Sequence, residues 1–331
     1  MTPRFSIIVP LYNKAPFIRK ALESIASQTF KDWELIIVVD GSTDNSLEVV
    51  NEYIRDVLCV MCDVCKNVRV IHQTNSGVAA ARNRGVAESH GEFVCFLDAD
   101  DRWEPTFLEE IDRMIAEYPD AGIYASNYIY YKPGKTHVAL NLERGYINYP
   151  EAYLQSGSMP VTSITTCMPR KVFDEMRGFP VGIKLGEDFL LWAKTALHYK
   201  VAFCEKPLAY YNNDVPASLR ATRNLHAPEY SMYFHLDPIE EAIHHTPYTI
   251  HQKETWKSLL DKLRVSGLMD YWLSDEYHDA AAAELAKVDW SKQPKKVKAL
   301  YKKPIWLLKT KKRIMRVGSF CKQKLVKLVS H

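Results

Sequence analysis

The sequence predicts an α/β protein with a doubly wound, mostly parallel sheet flanked by helices. In the first hundred residues, short β-branched runs alternate with segments whose apolar residues recur at helical spacing. Helices of this length between strands are typical of parallel βαβ units. The predicted strands of this part cover residues 5–10, 33–39, 68–72 and 93–97.

Apolar stripes at spacings of three and four predict the intervening helices. The first two stripes consist of Ile18, Leu22 and Ile25, and of Leu47, Val50 and Ile54. A third helix, over residues 77–89, is rich in alanine. Further strands are predicted at 123–131, 162–168 and 201–211, a helix at 188–198, and helical structure throughout 226–290.

The charge distribution divides the chain into unequal parts. With 25% charged and 47% apolar residues among 331, the composition excludes collagen-like and low-complexity classes. Fourteen of the 43 Lys and Arg, and none of the 40 acids, follow residue 290, so residues 1–290 carry a net charge of −11. We therefore expect an acidic body, made of an α/β domain at 1–215 and a helical extension at 216–290, and a basic amphipathic tail at 291–331.

The sequence carries no apparent signal for export or membrane insertion. No apolar run reaches the roughly 18 residues that cross a bilayer, and residues 1–13 are a poor signal peptide. Seven scattered cysteines fit reduced thiols better than a disulfide framework. These features predict a cytoplasmic protein.

Polar residues follow three of the predicted strands. In a parallel sheet these strand ends meet at one edge, which is where ligands of doubly wound sheets bind. Each loop taken alone is equally consistent with a capped turn. Together they offer an aromatic ring, a hydrogen-bonding acid, and a carboxylate cluster suited to a hard divalent cation that also binds phosphate. The residues concerned are Pro10, Tyr12 and Asn13, then Asp40, then Asp98, Asp100 and Asp101.

Four ordered motifs closely resemble glycosyltransferase family 2, whose members have the GT-A fold. They read SIIVPLYN at 6–13, VDGSTD at 39–44, GVAAARNRG at 77–85 and FLDADD at 96–101. A later Glu187-Asp188, followed by Trp192, resembles the family's Glu-Asp segment. The resemblance covers roughly residues 4–212, whereas no Walker loop or dinucleotide fingerprint is present.

The resemblance implies roles for the residues at the strand ends. The loop of Pro10, Tyr12 and Asn13 would pack on the nucleotide, and Asp40 would bond its base. Arg82 would lie near the nucleotide and diphosphate, unless it only caps its own helix. The acids of the Asp-x-Asp motif would place Mn²⁺ or Mg²⁺ against the diphosphate and contact the sugar, with the acid that touches metal left open. These acids are Asp98, Asp100 and the adjoining Asp101.

The resemblance also implies an inverting reaction that needs a base. The acceptor hydroxyl would attack opposite the leaving diphosphate, so a carboxylate must take its proton. We assign this role to Asp188, with Glu187 either orienting it or replacing it. The alternative is an acid pair that only stabilises the N-terminus of its helix.

Two features depart from the family pattern. Many relatives have an acid where this chain has Val39, and many place a His near the diphosphate, where residues 210–214 contain none. The third protein ligand of the metal is therefore in doubt. Cys59, Cys62 and Cys65 form a Cys-x₂-Cys-x₂-Cys string that, with His72 as the nearest fourth candidate, reads as packing rather than as a metal site.

The pattern of the basic tail, residues 291–331, predicts a helix that attaches the protein to another surface. Its apolar residues follow helical spacing, with cations on the other face, which suits an anionic membrane. The alternatives are a helix packed on the acidic body, and nucleic acid, which we do not expect because no nucleic-acid-binding fold is recognisable. The stripe consists of Leu307, Ile314, Val317, Cys321, Leu325 and Leu328, flanked by Trp306 and Phe320.

Together these patterns predict a metal-dependent glycosyltransferase that uses a nucleotide diphosphate sugar, in particular a UDP-sugar. The acceptor would be a glycan or a lipid-linked glycan of a surface polysaccharide or glycolipid, reached from the inner face of the cytoplasmic membrane. Two alternatives remain: a non-catalytic protein of the same fold, and a nucleotidyltransferase, which would normally carry a Gly-rich loop where this chain has Tyr12-Asn13-Lys14.

Overall fold

The computed structural model describes residues 2–58, 67–216 and 225–310. The chain divides into two compact units, Met1–Leu259 and Leu260–His331. The first unit contains the sheet and every residue predicted for the site at its edge.

Among the described residues, ten strands form one mixed sheet. The main order is β3-β2-β1-β4-β9-β6-β10-β5, with β7 on β6 and β8 on β10. The longest pairings, β1 with β2, β2 with β3 and β6 with β10, are parallel, which confirms the predicted fold class. The strands are β1 Phe5–Leu11, β2 Trp33–Asp40, β3 Val68–Gln73, β4 Phe93–Phe96, β5 Arg102–Trp103, β6 Ala121–Tyr131, β7 His137–Val138, β8 Gly145–Ile147, β9 Thr166–Pro169 and β10 Lys200–Asn212.

Helices cover the sheet, and β1 and β2 are buried along their whole length. Their near-continuous apolar sequences are those of strands covered on both faces. α3 comes so close to the sheet that a Cβ on Gly85 would lie 2.4 Å from Cγ2 of Ile8. Along the described chain the helices are α1 Ala15–Ala26, α2 Ser46–Tyr53, α3 Val78–Glu88, α4 Phe107–Glu117, α5 Tyr149–Ser156, α6 Arg170–Glu175, α7 Glu187–His198, α8 Asp237–His245 and α9 Ile250–Gly267, followed in the second unit by α10 Met269–Trp272, α11 His278–Ala286 and α12 Lys295–Tyr301.

An aromatic cluster ties α7 to the end of β4. The rings of Phe96 and Phe179 meet edge to face with centroids 5.0 Å apart, and Phe179 meets Trp192 of α7 at 5.5 Å. Such edge-to-face pairs add directional stability to the apolar burial. The cluster therefore fixes the start of α7 near the acids that follow β4.

The structure differs from the prediction in two segments. The β-branched run at 162–168 begins as a 3₁₀ turn, Ser163–Thr165, because the Thr162 amide and the Thr165 hydroxyl close a capping box; only β9 is extended. Residues 225–236 contain the 3₁₀ turns Pro228–Tyr230 and Met232–Phe234, and α-helix begins at Asp237.

The second unit consists of short helices around a small core. Leu268 and Tyr271 are buried in it, and the Tyr301 hydroxyl donates to the Val265 carbonyl at 2.7 Å. Residues 305–310 are helical, with Trp306 68% exposed and Leu308 buried. Within the described parts of the chain, no helix has the length and apolar character needed to cross a membrane.

Candidate active site

The loops after β1 and β2 interlock at the sheet edge. Asn13 has a left-handed backbone with φ of 50°, and its side-chain oxygen accepts from the Thr43 amide at 2.8 Å. The Lys14 amide donates to the Ser46 hydroxyl at 2.9 Å. An αL residue other than glycine is uncommon, and here the crossed hydrogen bonds hold it, so Asn13 braces the two loops against each other.

The predicted nucleotide loop combines a buried and an exposed residue. Pro10 lies inside β1 opposite Val38 of β2, whereas Tyr12 is 46% exposed at the strand end. The Tyr12 ring is therefore available to a ligand, while Pro10 shapes the strand that leads to it.

Asp40 ends β2 and is 3% exposed. One carboxylate oxygen accepts from Gln73 Nε2 and the Ser76 amide, both at 2.8 Å, and the other accepts from the Gly77 amide at 2.9 Å. Asp40 thus holds the loop between β3 and α3, a structural role that the sequence analysis did not predict. Its contact with a nucleotide base stays a prediction.

Arg82 of α3 connects two predicted functional segments. Its guanidinium donates to Asp98 at 2.7 Å and to Glu187 at 2.9 Å, and it lies over the Phe179 ring. The side chain is 3% exposed. Burial opposes its charge, but the carboxylates of Asp98 and Glu187 outweigh that cost and raise the pKa of Arg82. Arg82 therefore does not merely cap its own helix.

The remaining acids after β4 are held from two sides. The Lys14 ammonium lies 2.5 Å from Oδ2 of Asp100, and the Asn212 amide donates to Oδ1 of Asp101 at 2.7 Å. Burial raises the pKa of Asp101 well above its ordinary range, and the charges of Asp100 and Asp98 raise it further. Burial also raises the pKa of Asp100, although Lys14 opposes the shift. Each of the three acids thus has a partner, namely Arg82 for Asp98, Lys14 for Asp100 and the Asn212 amide for Asp101.

Asp188 is placed at the first turn of α7, next to Glu187. Gly186 precedes the helix with φ of 80°. Asp188 is half-buried, and one carboxylate oxygen accepts from the Phe189 amide at 2.8 Å. Burial and then the charge of Glu187 raise the pKa of Asp188 to about 7, against the opposing charge of Arg82. A carboxylate with this pKa can accept a proton near neutral pH.

The end of β10 adds aromatic side chains to the site. Tyr211 is 38% exposed and meets the Tyr130 ring edge to face at 5.7 Å. Burial raises the pKa of the Tyr211 hydroxyl, and four carboxylates raise it further, namely those of Asp101, Asp98, Asp100 and Asp188. The Tyr211 hydroxyl therefore lies within electrostatic reach of both the Asp-x-Asp cluster and Asp188. A cavity of 150 Å³ adjoins this strand end, beside Asp100 and Asp101.

The chemistry of the acidic cluster suits a hard divalent cation. Asp98, Asp100 and Asp101 offer only oxygen donors, and a bound cation would oppose the effect of burial, which raises the pKa of Asp100 and Asp101. In the described parts of the chain, no three His, Cys, Asp or Glu side chains group as a metal site. Mg²⁺ is commonly held by one or two carboxylates together with substrate phosphates and water, so the residues present fit a cation shared with a diphosphate.

The structure brings the predicted acids, Arg82 and the β1 loop to one edge, and adds two residues that the sequence analysis left without a role. Lys14 lies in the short loop between β1 and α1, and Tyr211 is the next-to-last residue of β10, so their positions at strand ends were the available signal for them. Cys59, Cys62 and Cys65 lie outside the described residues, as does the predicted tail stripe from residue 311 onward.

The sequence of this chain is similar to those of curated glycosyltransferases. The YibD protein of Escherichia coli K12, named as an uncharacterized glycosyltransferase, is 40% identical over 116 residues, which are 35% of this chain and 31% of that protein. Glycosyltransferase GlyA of Streptococcus pneumoniae is 31% identical over 221 residues, 63% of this chain and 30% of GlyA. The chain thus spans about a third of the length of these curated relatives.

Solved structures share the fold over a larger part of the chain. The crystal structure of S. aureus TarS 1-349 in complex with UDP-GlcNAc covers 90% of this chain, and the match takes in 83% of TarS 1-349, with a TM-score of 0.70 at 22% identity. The sequence model for Glycosyl transferase family 2 matches residues 6–177. Because that match takes in more than half of the chain, this protein belongs to glycosyl transferase family 2.

Proposed function

We propose that this protein is an inverting glycosyltransferase that transfers a sugar from a nucleotide diphosphate, in particular UDP, to an acceptor hydroxyl. The observation that carries the proposal is the double ion pair of Arg82, which joins Asp98 of the donor-side cluster to Glu187 of the base segment at 2.7 and 2.9 Å. TarS, which shares the fold, was solved with UDP-GlcNAc and with UDP, which supports a uridine nucleotide.

In the proposed reaction the acceptor oxygen forms a bond to the anomeric carbon as the bond to the diphosphate oxygen breaks. The acceptor proton passes to the Asp188 carboxylate, whose pKa of about 7 leaves a substantial fraction ionised at neutral pH. Asp98 and Asp100 are proposed to hold Mn²⁺ or Mg²⁺ with the donor, and the bound cation would offset the charge that develops on the leaving diphosphate. The exposed Tyr12 would lie against the nucleotide, next to Asp40.

Aromatic residues near Asp188 support a carbohydrate acceptor. Tyr211 is exposed. The pKa of the Tyr153 hydroxyl is raised first by burial, then by Tyr233 and then by the charge of Asp188, so Tyr153 lies near Asp188. Aromatic rings pack against the C–H faces of sugars, and their hydroxyls can bond sugar hydroxyls. A glycan, free or lipid-linked, is therefore the proposed acceptor class.

The test is a screen of nucleotide sugars for hydrolysis or transfer with Mn²⁺, comparing the wild type with Asp100→Ala. We expect the wild type to turn over one uridine nucleotide sugar. The variant should do so about a hundredfold more slowly, because it lacks one of the carboxylates proposed to hold the cation against the diphosphate. Turnover of no nucleotide sugar, with or without acceptor glycans, would instead favour the non-catalytic alternative.

Membrane attachment through the tail is a separate proposal. Because Tyr301 and Leu308 pack within the second unit, the deletion that tests it should begin after residue 310. We expect the full chain to sediment with vesicles of anionic lipid and the shortened chain to sediment far less, since seven Lys and Arg are removed. Equal sedimentation of both forms would contradict attachment through residues 311–331.

A further inference from the structure

We propose that Lys14 is the resident countercharge of Asp100 and competes with a divalent cation for that carboxylate. The inference rests on the proposed function, in which a cation shares the acidic cluster with the donor. Its basis is the 2.5 Å ion pair between Lys14 Nζ and Asp100 Oδ2. Lys14 would then set how tightly the free enzyme holds metal.

The backbone of Lys14 is fixed, so the ion pair is a built feature of the loop. The Lys14 amide bonds the Ser46 hydroxyl at 2.9 Å, and the next amide, of Ala15, bonds the Asp44 carboxylate at 3.1 Å. Asn13, in its left-handed conformation, anchors the other side. The flexible four-carbon stem of lysine lets the ammonium change position while the backbone stays in place.

Asp100 is the acid at which competition is expected. Asp98 is held by Arg82, which is 3% exposed, and Asp101 is itself 5% exposed and bonded to the backbone of Asn212. The Asp98 carboxylate is more exposed, at 29%, but its partner Arg82 is buried and also holds Glu187, whereas both members of the Lys14–Asp100 pair reach solvent, at 17% and 19%. The pair is sheltered enough to be strong and open enough for an ion from solvent to reach it.

An ammonium and a divalent cation cannot both approach one carboxylate oxygen without strong repulsion. Coulomb repulsion between like charges at such short separation is much stronger in a partly buried site than in bulk water. A divalent cation must therefore either displace the Lys14 ammonium from Asp100 Oδ2 or bind beside it and bear the repulsion between the two positive charges. Either route weakens the binding of metal to the free enzyme.

The experiment measures Mn²⁺ binding to the full chain without donor, from the loss of the electron paramagnetic resonance signal of free Mn²⁺. We expect Lys14→Met to bind Mn²⁺ about tenfold more tightly than the wild type, a change of about 1.4 kcal/mol. Lys14→Gln should do the same, which guards against a fold defect in one variant. The matched control is Lys171→Met, because Lys171 is 87% exposed and lies on α6; its affinity should stay within twofold.

Repeating the Lys14 substitution in a variant that lacks the Asp100 carboxylate shows whether Asp100 is the group for which Lys14 and the metal compete. In Asp100→Asn, the further change Lys14→Met should alter Mn²⁺ affinity by less than twofold, because the carboxylate is already gone. Unchanged or weaker binding in both Lys14 variants would overturn the inference and leave the proposed function standing, provided that the wild type binds Mn²⁺ with UDP. A wild type that binds no Mn²⁺ even with UDP would overturn both the inference and the metal-dependent function.

Discussion

Replacing Arg82 by Met tests the ion-pair network on which the account depends. The substitution keeps an unbranched apolar stem over Phe179 but removes the guanidinium that joins Asp98 to Glu187. Arg82 is 3% exposed, and the Asp98 and Glu187 side chains are 29% and 10% exposed. Glu187 would be left buried without its partner, and Asp98 partly so.

The magnitude follows from that burial. Removing one partner of a buried ion pair costs roughly 3–5 kcal/mol, because the other charge stays desolvated. Since Asp98 is only partly buried, we expect Arg82→Met to lower the free energy of unfolding by about 3 kcal/mol at neutral pH. Urea unfolding followed by circular dichroism measures this loss.

Two further variants separate the network from ordinary surface charge. Arg84→Met removes an arginine of the same helix whose 2.7 Å pair with Glu88 is exposed, at 53% and 39%, and it should cost under about 0.5 kcal/mol. Arg82→Lys keeps the charge but lacks the fork that reaches two carboxylates, so an intermediate loss is expected. A loss below about 1 kcal/mol in Arg82→Met would refute the reasoning, because buried pairs cost more than that to break.

Three more predictions concern the start of α7. Because Asp188 must be ionised to act and its pKa is about 7, kcat/KM should fall about tenfold per pH unit below pH 6; a flat profile from pH 5 to 8 would contradict its role as base. A folded-state pKa raised above the unfolded value means that the folded state binds more protons between about pH 4 and 7, so this group lowers stability as pH rises through that window. Asp188→Asn should make the fall in stability between pH 5 and 8 smaller, since Asp100 and Asp101 also have raised pKa values; an unchanged fall would assign it to other groups. Gly186→Ala should lower the melting temperature by several degrees, since a Cβ there would lie 2.1 Å from Sδ of Met232 and φ is 80°; a melting temperature within a degree of wild type would show that Met232 yields freely.

The fold and the edge of the sheet where the site lies were predictable from the sequence. The apolar runs at 5–10 and 33–39 correspond to β1 and β2 within one residue, because strands buried on both faces leave a near-continuous apolar signal. The positions of Asp98, Asp100 and Asp101 followed from the same logic, since parallel strands end at one edge.

The partners of these residues were not predictable, because they are distant along the chain. Glu187 is 105 residues from Arg82, and Lys14 is 86 residues from Asp100. A sequence pattern shows which acids reach the sheet edge but not which cation each one faces. For Asp40 the pattern gave an acid at a strand end, whereas its bonds to Ser76 and Gly77 depend on how the next loop folds back.

The segment at 162–168 shows a second limit. Its β-branched residues favour a strand, but the Thr165 hydroxyl accepts from the Thr162 amide and lies within hydrogen-bonding distance of the Thr162 carbonyl as a donor. Local side-chain hydrogen bonds of this kind compete with strand pairing. The hydrophobic pattern alone does not distinguish a turn from a strand. Here the turn at Ser163–Thr165 comes first along the chain, and the strand Thr166–Pro169 follows it.

The most direct test of the central claim is to measure binding and turnover in the same preparation of Asp188→Asn. The asparagine keeps the shape of the side chain but cannot take the acceptor proton. With the donor identified by the nucleotide-sugar screen, we predict that the rate of transfer falls by a factor of about 10² to 10⁴. The affinity for UDP in the presence of Mn²⁺ should stay within about threefold of the wild type. Transfer within tenfold of the wild-type rate would contradict the assignment of Asp188 as the base.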